Sequence, residues 1–303
     1  MKNNTPDQSA EFTVSAFQRT SILIICFLLY MINFMDRQVL SAVLEPMKID
    51  LGFSDTQAGI LQTAFFLKDY KTVAVTDEQG EKTGFWSTVV LLFKIPSLRW
   101  VYFGYAMHMA MVFAFAAWGA AFVMRAQGVT EAKAGMILGI TALAGIIGTP
   151  IGGVIADLWQ KKNRKGRTFT PILASSGAAV LLFLALILDL KGPGLALIAI
   201  YGIFAVIGIP AVNSISQDVV NPGLKGIAWG MAGVIMMIFG AAWSPSAVGI
   251  ISDVLGGGAW GLKAAMMALC LLGFVACFCF WKGSSHYPED MEKVQGFVLE
   301  SEQ

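Results

Sequence analysis

Long apolar runs separated by short polar segments dominate this chain. A helix needs roughly 20 apolar residues to span about 30 Å of hydrocarbon. Seven segments have that length: Ile22–Val43, Trp100–Val123, Met136–Leu158, Pro171–Leu188, Leu195–Ser214, Ile227–Ile251 and Leu262–Trp281. An eighth apolar stretch, Ala58–Leu67, has ten residues and would reach only about 15 Å as a helix. The pattern predicts an all-α integral membrane protein with seven full spans and one short remnant.

The polar stretches divide the chain into five predicted regions. They are a tail at 1–20, a first transmembrane helix with its loop and a truncated second helix at 21–67, a cytoplasmic linker at 68–97, a six-helix bundle at 98–283 and a second tail at 284–303. Apolar residues between Phe85 and Phe93, followed by Pro96, predict a short interfacial helix in the linker. A linker without structure is the alternative. Both tails are polar and carry no structural signal.

The composition excludes several function classes. Hydrophobic residues make up 56% of the 303 and charged residues 14%, whereas a soluble domain has about 25% charged residues. The four cysteines lie in apolar runs without ligand spacing, so neither a metal site nor a disulfide framework is expected. The sequence has no Ser-His-Asp catalytic-triad motif and no phosphate-binding Gly-Lys-Ser/Thr loop. We therefore expect neither enzymatic activity nor a cofactor. The expected partners are the lipid bilayer and a small-molecule substrate, and no nucleic-acid partner is expected.

The positions of lysine and arginine predict the orientation in the membrane. If both termini are cytoplasmic and the last six spans alternate, fifteen of these residues lie inside and five outside. This favours a multi-pass protein of the cell inner membrane. The first span then ends outside while Lys68 must lie inside, with only the Ala58–Leu67 remnant between them. Three explanations stay open: the remnant dips into the membrane, the first helix inserts in the reverse orientation, or residues are missing.

One acid–base pair, Asp36-Arg37, lies inside the first apolar run, three residues after Asn33. A charge at mid-bilayer costs about 3 kcal/mol or more, so such groups normally face a cavity or each other. An Asp that takes up a proton beside a permanently charged Arg would couple proton flow to an anionic substrate. In the alternative interpretation, the pair lies near the helix end and Arg37 extends to the interface.

A second motif combines glycines, an acid and a basic loop. Gly148 and Gly152 form a small-xxx-small pair that lets helices approach closely. Asp157 ends the helix beside a dense basic stretch. The residues selected by this motif are Gly153, Asp157, Lys161, Arg164 and Arg167. Topology anchoring alone would explain the basic residues, but it would not explain the spaced Gly and Asp before them.

This stretch resembles the cytoplasmic loop signature of the major facilitator superfamily, and further segments resemble its spinster-like and organic-anion members. Those segments are Asn33–Gln38, Leu51–Gly59, Ile95–Arg99, Gln217–Gly226 and Pro245–Asp253. The resemblance covers Tyr30–Leu67 and Lys68 to about Trp281. It implies that Gln217, Asp218, Pro245, Gly249 and Asp253 belong to conformational motifs. Carriers of this family have twelve helices, and the sequence matches neither most of helix two nor helices three to six.

The resemblance implies secondary active transport of a small organic anion or amphipathic metabolite, with proton-coupled symport left open. Family carriers bind substrate between two six-helix halves that rock against each other, and most of one half is missing here. The alternative is a transport-incompetent deletion product or a membrane assembly subunit. Such a protein would need a partner half, either a second copy in a homodimer or a separate N-terminal half.

Polar residues in the later spans are further candidates for the substrate or proton path. His108 and Trp118 are ten residues apart on one predicted helix, nearly three turns, which predicts similar faces. His108 could relay protons or form an ordinary buried hydrogen bond. Asn213 lies near the cytoplasmic end of another span, where it could line a polar path or cap the helix.

Overall fold

The computed structural model describes the backbone of Ser21, Ile25, 43–68 and 85–301. The chain forms two compact units, Met1–Leu40 and Ser41–Gln303. Of the first unit, only Ser21 and Ile25 are described, and both are helical. All the other described residues belong to the second unit.

Three predicted site residues, Asn33, Asp36 and Arg37, lie outside the described residues, as does most of the first predicted span. Their proposed roles in substrate binding and proton coupling therefore stay predictions.

The described residues of the second unit fold into eleven α-helices, with no strand among them. The helices are α1 (43–51), α2 (Asp55–Lys68), α3 (Phe85–Lys94), α4 (Pro96–Gln127), α5 (Glu131–Lys162), α6 (Gly166–Ile187), α7 (Pro193–Val206), α8 (Ile209–Asp218), α9 (Lys225–Met236), α10 (Ser244–Val254) and α11 (Gly258–Ser301). A 3₁₀ turn, Pro222–Leu224, precedes α9, and a π-helical turn, Met237–Ala241, follows it. The all-α prediction is confirmed.

Six helical segments in the described part of the chain are long and apolar enough to cross a membrane. They are Pro96–Gln127, Glu131–Lys162, Gly166–Ile187, Pro193–Asp218, Pro222–Val254 and Gly258–Val294. They coincide with the last six predicted spans. Two of them are interrupted, one between α7 and α8 and the other at the π turn between α9 and α10. At 14 residues, α2 measures about 21 Å, so it remains shorter than a span.

Helix α4 forms the centre of the bundle. In its most apolar window 72% of the residues are buried, against 17% for α5, which exposes a continuous apolar face. Small residues let neighbouring helices approach α4 closely. A Cβ added to Gly240 of the π turn would lie 2.4 Å from the Ala106 carbonyl oxygen. The largest fully buried side chain, Trp118, also belongs to α4. A charged or polar group on α4 therefore needs a partner inside the bundle.

Glycines bring α5 against the break between α7 and α8. A Cβ on Gly152 would lie 2.0 Å from the Ile207 carbonyl oxygen, and one on Gly202 would lie 2.2 Å from that of Thr141. By contrast, a Cβ on Gly153 would make an ordinary 3.8 Å contact with Pro210. Gly152 therefore makes the close backbone approach that the small-xxx-small pair Gly148 and Gly152 predicts, whereas Gly153 does not.

The C-terminal residues fold in a way that their sequence does not predict. Helix α11 continues through Ser301, across a region expected to be a tail without structure. Tyr287 and Asp290 of this extension are buried. Asp290 Oδ2 accepts a hydrogen bond of 3.0 Å from the Ser97 backbone N–H and so satisfies one of the free donors at the start of α4. Long-range contacts therefore stabilise the extension. The predicted linker helix is also present, as α3.

Candidate functional site

A cluster of charged residues joins α1 and α2 to the six-helix bundle. This cluster, called the Arg125 cluster below, consists of Glu45 and Lys48 in α1, Asp55 at the start of α2, Arg125 near the end of α4 and Asp253 near the end of α10. The first turn of α4 lies at the other end of its 32 residues, about 48 Å away. The cluster therefore lies at one end of the bundle.

The Arg125 guanidinium binds two carboxylates, each through two hydrogen bonds. Nε and Nη2 donate to the Glu45 oxygens at 2.7 and 2.6 Å. Nη1 and Nη2 donate to the Asp55 oxygens at 3.0 and 2.8 Å. The remaining N–H, on Nη1, points to the Gly258 carbonyl at 3.4 Å. The Trp118 ring lies 5.9 Å from Cζ. All five N–H donors of Arg125 thus have acceptors. The planar guanidinium of Arg allows bidentate pairing with carboxylates, which the ammonium of Lys cannot reproduce.

Asp55 is the most buried charged residue of the cluster, with no solvent exposure. Burial alone would raise its pKa. The hydrogen bonds that Arg125, Lys48 and Ser252 donate outweigh this effect and lower the pKa from 3.8 to about 2. The Ser252 Oγ bond measures 2.6 Å. Asp55 therefore remains ionised in this arrangement at every pH well above 2 and cannot exchange a proton near neutral pH.

Asp253 caps the start of α2 from the far end of the sequence. Its Oδ1 accepts from the Asp55 N–H at 3.2 Å, and its Oδ2 accepts from the Thr56 N–H and hydroxyl at 2.7 and 2.6 Å. Ser54 and Gln57 add a local capping box with reciprocal backbone bonds of 2.9 and 3.2 Å. A carboxylate at a helix N-terminus also interacts favourably with the helix dipole. Asp253 therefore fixes where α2 begins and where it docks.

The motif Pro245–Asp253 forms the surface of α10 that receives α2. A Cβ on Gly249 would lie 2.2 Å from the Asp55 carbonyl oxygen, and one on Gly59 would lie 2.6 Å from that of Pro245. Pro245, Gly249 and Asp253 are four residues apart and so share one helix face. The predicted conformational residues of this motif thus all contact the N-terminal part of α2.

A second cluster joins α5, α6, α8 and α11. It lies near the C-terminal end of α5, the end away from the C-terminus of α4. It is called the Arg167 cluster and contains Asp157, Arg167, Asp218 and Tyr287. Arg167 donates to Asp218 Oδ2 at 2.5 Å and to Asp157 Oδ1 at 3.0 Å, and the Tyr287 hydroxyl donates to Asp218 Oδ2 at 2.5 Å. The structure therefore joins Asp157 and Arg167 of the basic-loop motif to Asp218 of the segment Gln217–Gly226. Tyr287 was missed because it belongs to the supposed tail.

The other predicted residues at this end are more peripheral. Lys161 is exposed at the end of α5. Arg164 pairs with Glu292 on the surface. Gln217 Nε2 donates to Asn213 Oδ1 at 2.6 Å within α8. Asn213 therefore binds a side chain one turn away on its own helix and does not cap it.

His108 and Trp118 are both buried but contact different helices. His108 Nε2 lies 2.9 Å from the Ala205 carbonyl oxygen in α7. Trp118 Nε1 donates to the Pro245 carbonyl oxygen at 2.9 Å in α10. Ten residues advance a helix by roughly 1000°, which is 80° short of three full turns. The prediction that both share a face is therefore wrong, and the structure does not bring them together.

The sequence profile of the Major Facilitator Superfamily matches residues 66–245. This match covers more than half of the sequence, so the chain belongs to that superfamily, as the motifs predicted. A search of curated proteins found no match.

Two solved structures share the fold. Both are described as a bacterial homologue of the human lysosomal transporter Spinster in an inward-facing conformation. The unoccupied form is 16% identical with a TM-score of 0.61, covering 73% of this chain and 54% of that chain. The occupied form is 16% identical with a TM-score of 0.54, covering 65% and 51%. This chain therefore spans about half the length of the structures that it matches.

Proposed function

We propose that this chain is part of a secondary transporter for a small organic anion or amphipathic metabolite, in which the Arg125 cluster is an ionic latch. The observation that carries the proposal is the double bidentate pairing of Arg125 with Glu45 and Asp55. The family resemblance assigns α1 and α2 to the first half of a carrier and α4 and α10 to the second. Alternating access separates such halves on one side of the membrane, so these hydrogen bonds must break when that side opens.

The energetics of the cluster suit a gate. A hydrogen bond to a charged group contributes about 1.5–3 kcal/mol, and separated charges must be rehydrated before the cluster can open. Each 1.4 kcal/mol by which the cluster favours the closed state lowers the open population about tenfold. A cluster with five Arg125 hydrogen bonds can therefore hold this side closed until substrate or a proton shifts the balance.

The basic loop Lys161–Arg167 supports an orientation in the inner membrane with both termini in the cytoplasm. The Arg167 cluster would then face the cytoplasm, and the Arg125 cluster would close the outer side. In this proposal Asp36, Arg37 and Asn33 bind substrate or protons. The low pKa of Asp55 argues against Asp55 as the proton carrier in the closed state.

A second candidate is a partner-dependent or transport-incompetent protein. It is favoured by the fraction of the solved structures' length that this chain covers. The chain spans 54% of the unoccupied relative, whereas alternating access needs two rigid bodies around a midplane site. In this case a second copy or a separate N-terminal half completes the carrier. The apolar face of α5 would then lie against that partner.

Reconstitution separates the two candidates. The purified chain and a version with helices two to six restored are compared in proteoliposomes for gradient-driven uptake of organic anions. Saturable uptake by the restored version alone, with crosslinking to report dimers, supports a partner-dependent half-carrier. Saturable uptake by the monomeric chain supports complete transport. No uptake of any organic anion by either version would contradict the proposed substrate class.

The latch itself is tested by distance measurements between spin labels. Ile49 and Trp260 lie near the cluster and are 72% and 70% exposed, so both accept a label without disturbing the core. We expect one short distance in the parent and a longer, broader distribution in Arg125→Gln. Arg164→Gln, which removes the exposed pair with Glu292, is the matched control and should leave the distribution unchanged. An unchanged distribution in Arg125→Gln would contradict the latch.

A further inference from the structure

An open groove of about 260 Å³ lies at the same end of the bundle as the Arg167 cluster. Its walls come from the end of α3, the segment between α8 and α9, and the extension of α11. That segment directly follows Asp218, and the extension carries Tyr287, and these two residues are joined in the Arg167 cluster. One water molecule needs roughly 10–15 Å³ by the same measure. The groove therefore has room for a chain of many atoms.

Aliphatic side chains form most of the walls. Of the ten described residues that line the groove, seven are Leu, Ile or Val and three are polar. Leu92, Val219 and Val220 are at most 2% exposed and belong to the core of the bundle. Leu91, which also lines the groove, is 49% exposed, and its neighbour Val90 is 53% exposed. The apolar surface therefore continues from the groove to the outside of α3.

The groove lies where the bundle meets the membrane surface. Ile95 lines the groove and directly precedes one helix long enough to cross a membrane, and Val294 lines it at the end of another. The 32 residues of α4 measure about 48 Å, slightly more than the 40–45 Å of hydrocarbon and headgroups together. The first residues of α4 therefore reach the headgroup region, and lipid has access to the groove.

Three exposed lysines lie in the walls or next to them in sequence. Lys293 lines the groove, and its side chain is 72% exposed. Lys94 precedes the lining residue Ile95, and Lys225 follows the lining residue Leu224; both lysines are exposed. Basic groups at a membrane surface attract anionic lipid headgroups.

The nearby acids do not cancel this charge. Asp290 Oδ1 accepts a hydrogen bond from Lys293 Nζ at 3.2 Å, and Oδ2 accepts one from the Ser97 N–H at 3.0 Å. Glu292, next to Lys293, pairs with an arginine of the loop after α5. Glu289 is exposed and does not line the groove. Counting Glu289 and Asp290 against the three lysines leaves one net positive charge.

We propose that this groove binds one anionic phospholipid of the adjoining leaflet, which is the cytoplasmic leaflet in the orientation proposed above. One acyl chain lies along the leucines and valines, because burial of its methylene groups against aliphatic side chains is favourable. The phosphate lies at Lys293, with Lys94 and Lys225 beside it. The lipid holds α3 against the extension of α11. It is a component of the folded protein and not transported cargo, so the site stands whether or not the chain transports.

Native mass spectrometry of the purified chain in detergent tests the site. The chain is titrated with phosphatidylglycerol, with zwitterionic phosphatidylcholine of the same acyl chains, and with glycerol phosphate, which has no acyl chain. We expect one phosphatidylglycerol to be retained about fivefold more tightly than phosphatidylcholine, and glycerol phosphate not to be retained. Equal retention of the two phospholipids, or retention of neither, would overturn the proposal. Retention of glycerol phosphate would show a headgroup site without a role for the groove, and would also overturn it.

A substitution inside the groove shows whether the lipid lies there. Leu224→Trp places a large ring in the groove and should abolish the tight retention of one phosphatidylglycerol. Val254→Trp is the matched control, because Val254 is 79% exposed at the end of α10 and does not line the groove; it should behave as the parent. Tight retention that persists in Leu224→Trp would place the lipid elsewhere and refute the assignment.

A lysine variant tests the headgroup contact, and it decides the matter if Leu224→Trp fails to fold. In Lys293→Gln the amide can still donate to Asp290 but carries no charge, so retention of phosphatidylglycerol should weaken about fivefold while that of phosphatidylcholine stays the same. Lys162→Gln removes the same charge from an exposed position at the end of α5 and should change neither. Equal effects of the two lysine substitutions would contradict the proposed site.

Discussion

Arg125 and Asp55 are joined by two parallel hydrogen bonds of 3.0 and 2.8 Å across 70 residues of sequence. The pair is buried, and each partner has further contacts, Arg125 to Glu45 and Asp55 to Ser252. It anchors the start of α2, a helix too short to span a membrane, to a bundle that contains six spans.

Replacing Arg125 with Lys should destabilise the protein by about 1–3 kcal/mol, because an ammonium cannot hold two carboxylates in bidentate geometry. Thermal unfolding of the purified protein in detergent measures the effect. Arg164→Lys provides the control: its pair with Glu292 is exposed, so the change should stay within about 0.5 kcal/mol. Equal effects of the two substitutions would mean that the Arg125 cluster does not hold the fold together.

The low pKa of Asp55 predicts a specific acid dependence. Its folded-state pKa of about 2 lies below the ordinary 3.8, so its contribution to stability is fully present above pH 4 and is lost as the pH falls towards 2. The shift corresponds to about 2 kcal/mol. Unfolding midpoints between pH 7 and 3 should therefore fall less steeply with acid in Asp55→Asn than in the parent. A parallel pH dependence of parent and variant would contradict the assigned shift.

Two glycines of α5 should respond in opposite ways to alanine. In Gly152→Ala the new Cβ would lie 2.0 Å from the Ile207 carbonyl oxygen, so α5 and α7 must separate, and we expect a loss of several kcal/mol and poor accumulation. Gly152→Leu should be worse. In Gly139→Ala the Cβ meets nothing within 4 Å, and the substitution should be neutral or stabilising by up to about 1 kcal/mol. Unchanged stability of Gly152→Ala would show that the close approach is not formed.

The orientation follows from the charges at the end of α5. Reporter domains fused after Arg167 and after Ser285 should both give a cytoplasmic signal, because the intervening spans alternate and the basic loop stays inside. A fusion in the loop after Gln127 should give the opposite signal. A non-cytoplasmic signal at either of the first two positions would overturn the assigned topology and move the Arg125 cluster to the inner side.

Proton coupling is predicted to depend on Asp36. In a transport-competent assembly, Asp36→Asn should abolish the dependence of uptake on a proton gradient, because an amide does not titrate. Arg37→Lys should weaken binding of the anion while leaving that dependence in place. Uptake measured with and without the gradient distinguishes the two effects. Proton-driven uptake that survives Asp36→Asn would assign the coupling to another residue.

The sequence alone determined the class of this protein and the positions of its six described spans. Hydrophobic length is a local property, so a run of about 20 apolar residues identifies a span without knowledge of its neighbours. Local spacing also selected Asp157 and Arg167 and placed a helix after Phe85, whereas Asp218 was selected by the family resemblance. The small-xxx-small spacing also selected Gly148 and Gly152, and Gly152 makes the close contact with Ile207.

Which residues pair across the chain depends on the packing of the whole bundle. Arg125 finds Asp55 and Glu45, Asp253 caps α2 at a separation of 197 residues, and Tyr287 joins Asp218. The extension of α11 packs against the bundle through Tyr287 and Asp290, which are buried, in a region predicted to be a tail without structure. Such pairings depend on which helix faces meet when the bundle packs, and no local pattern contains that information.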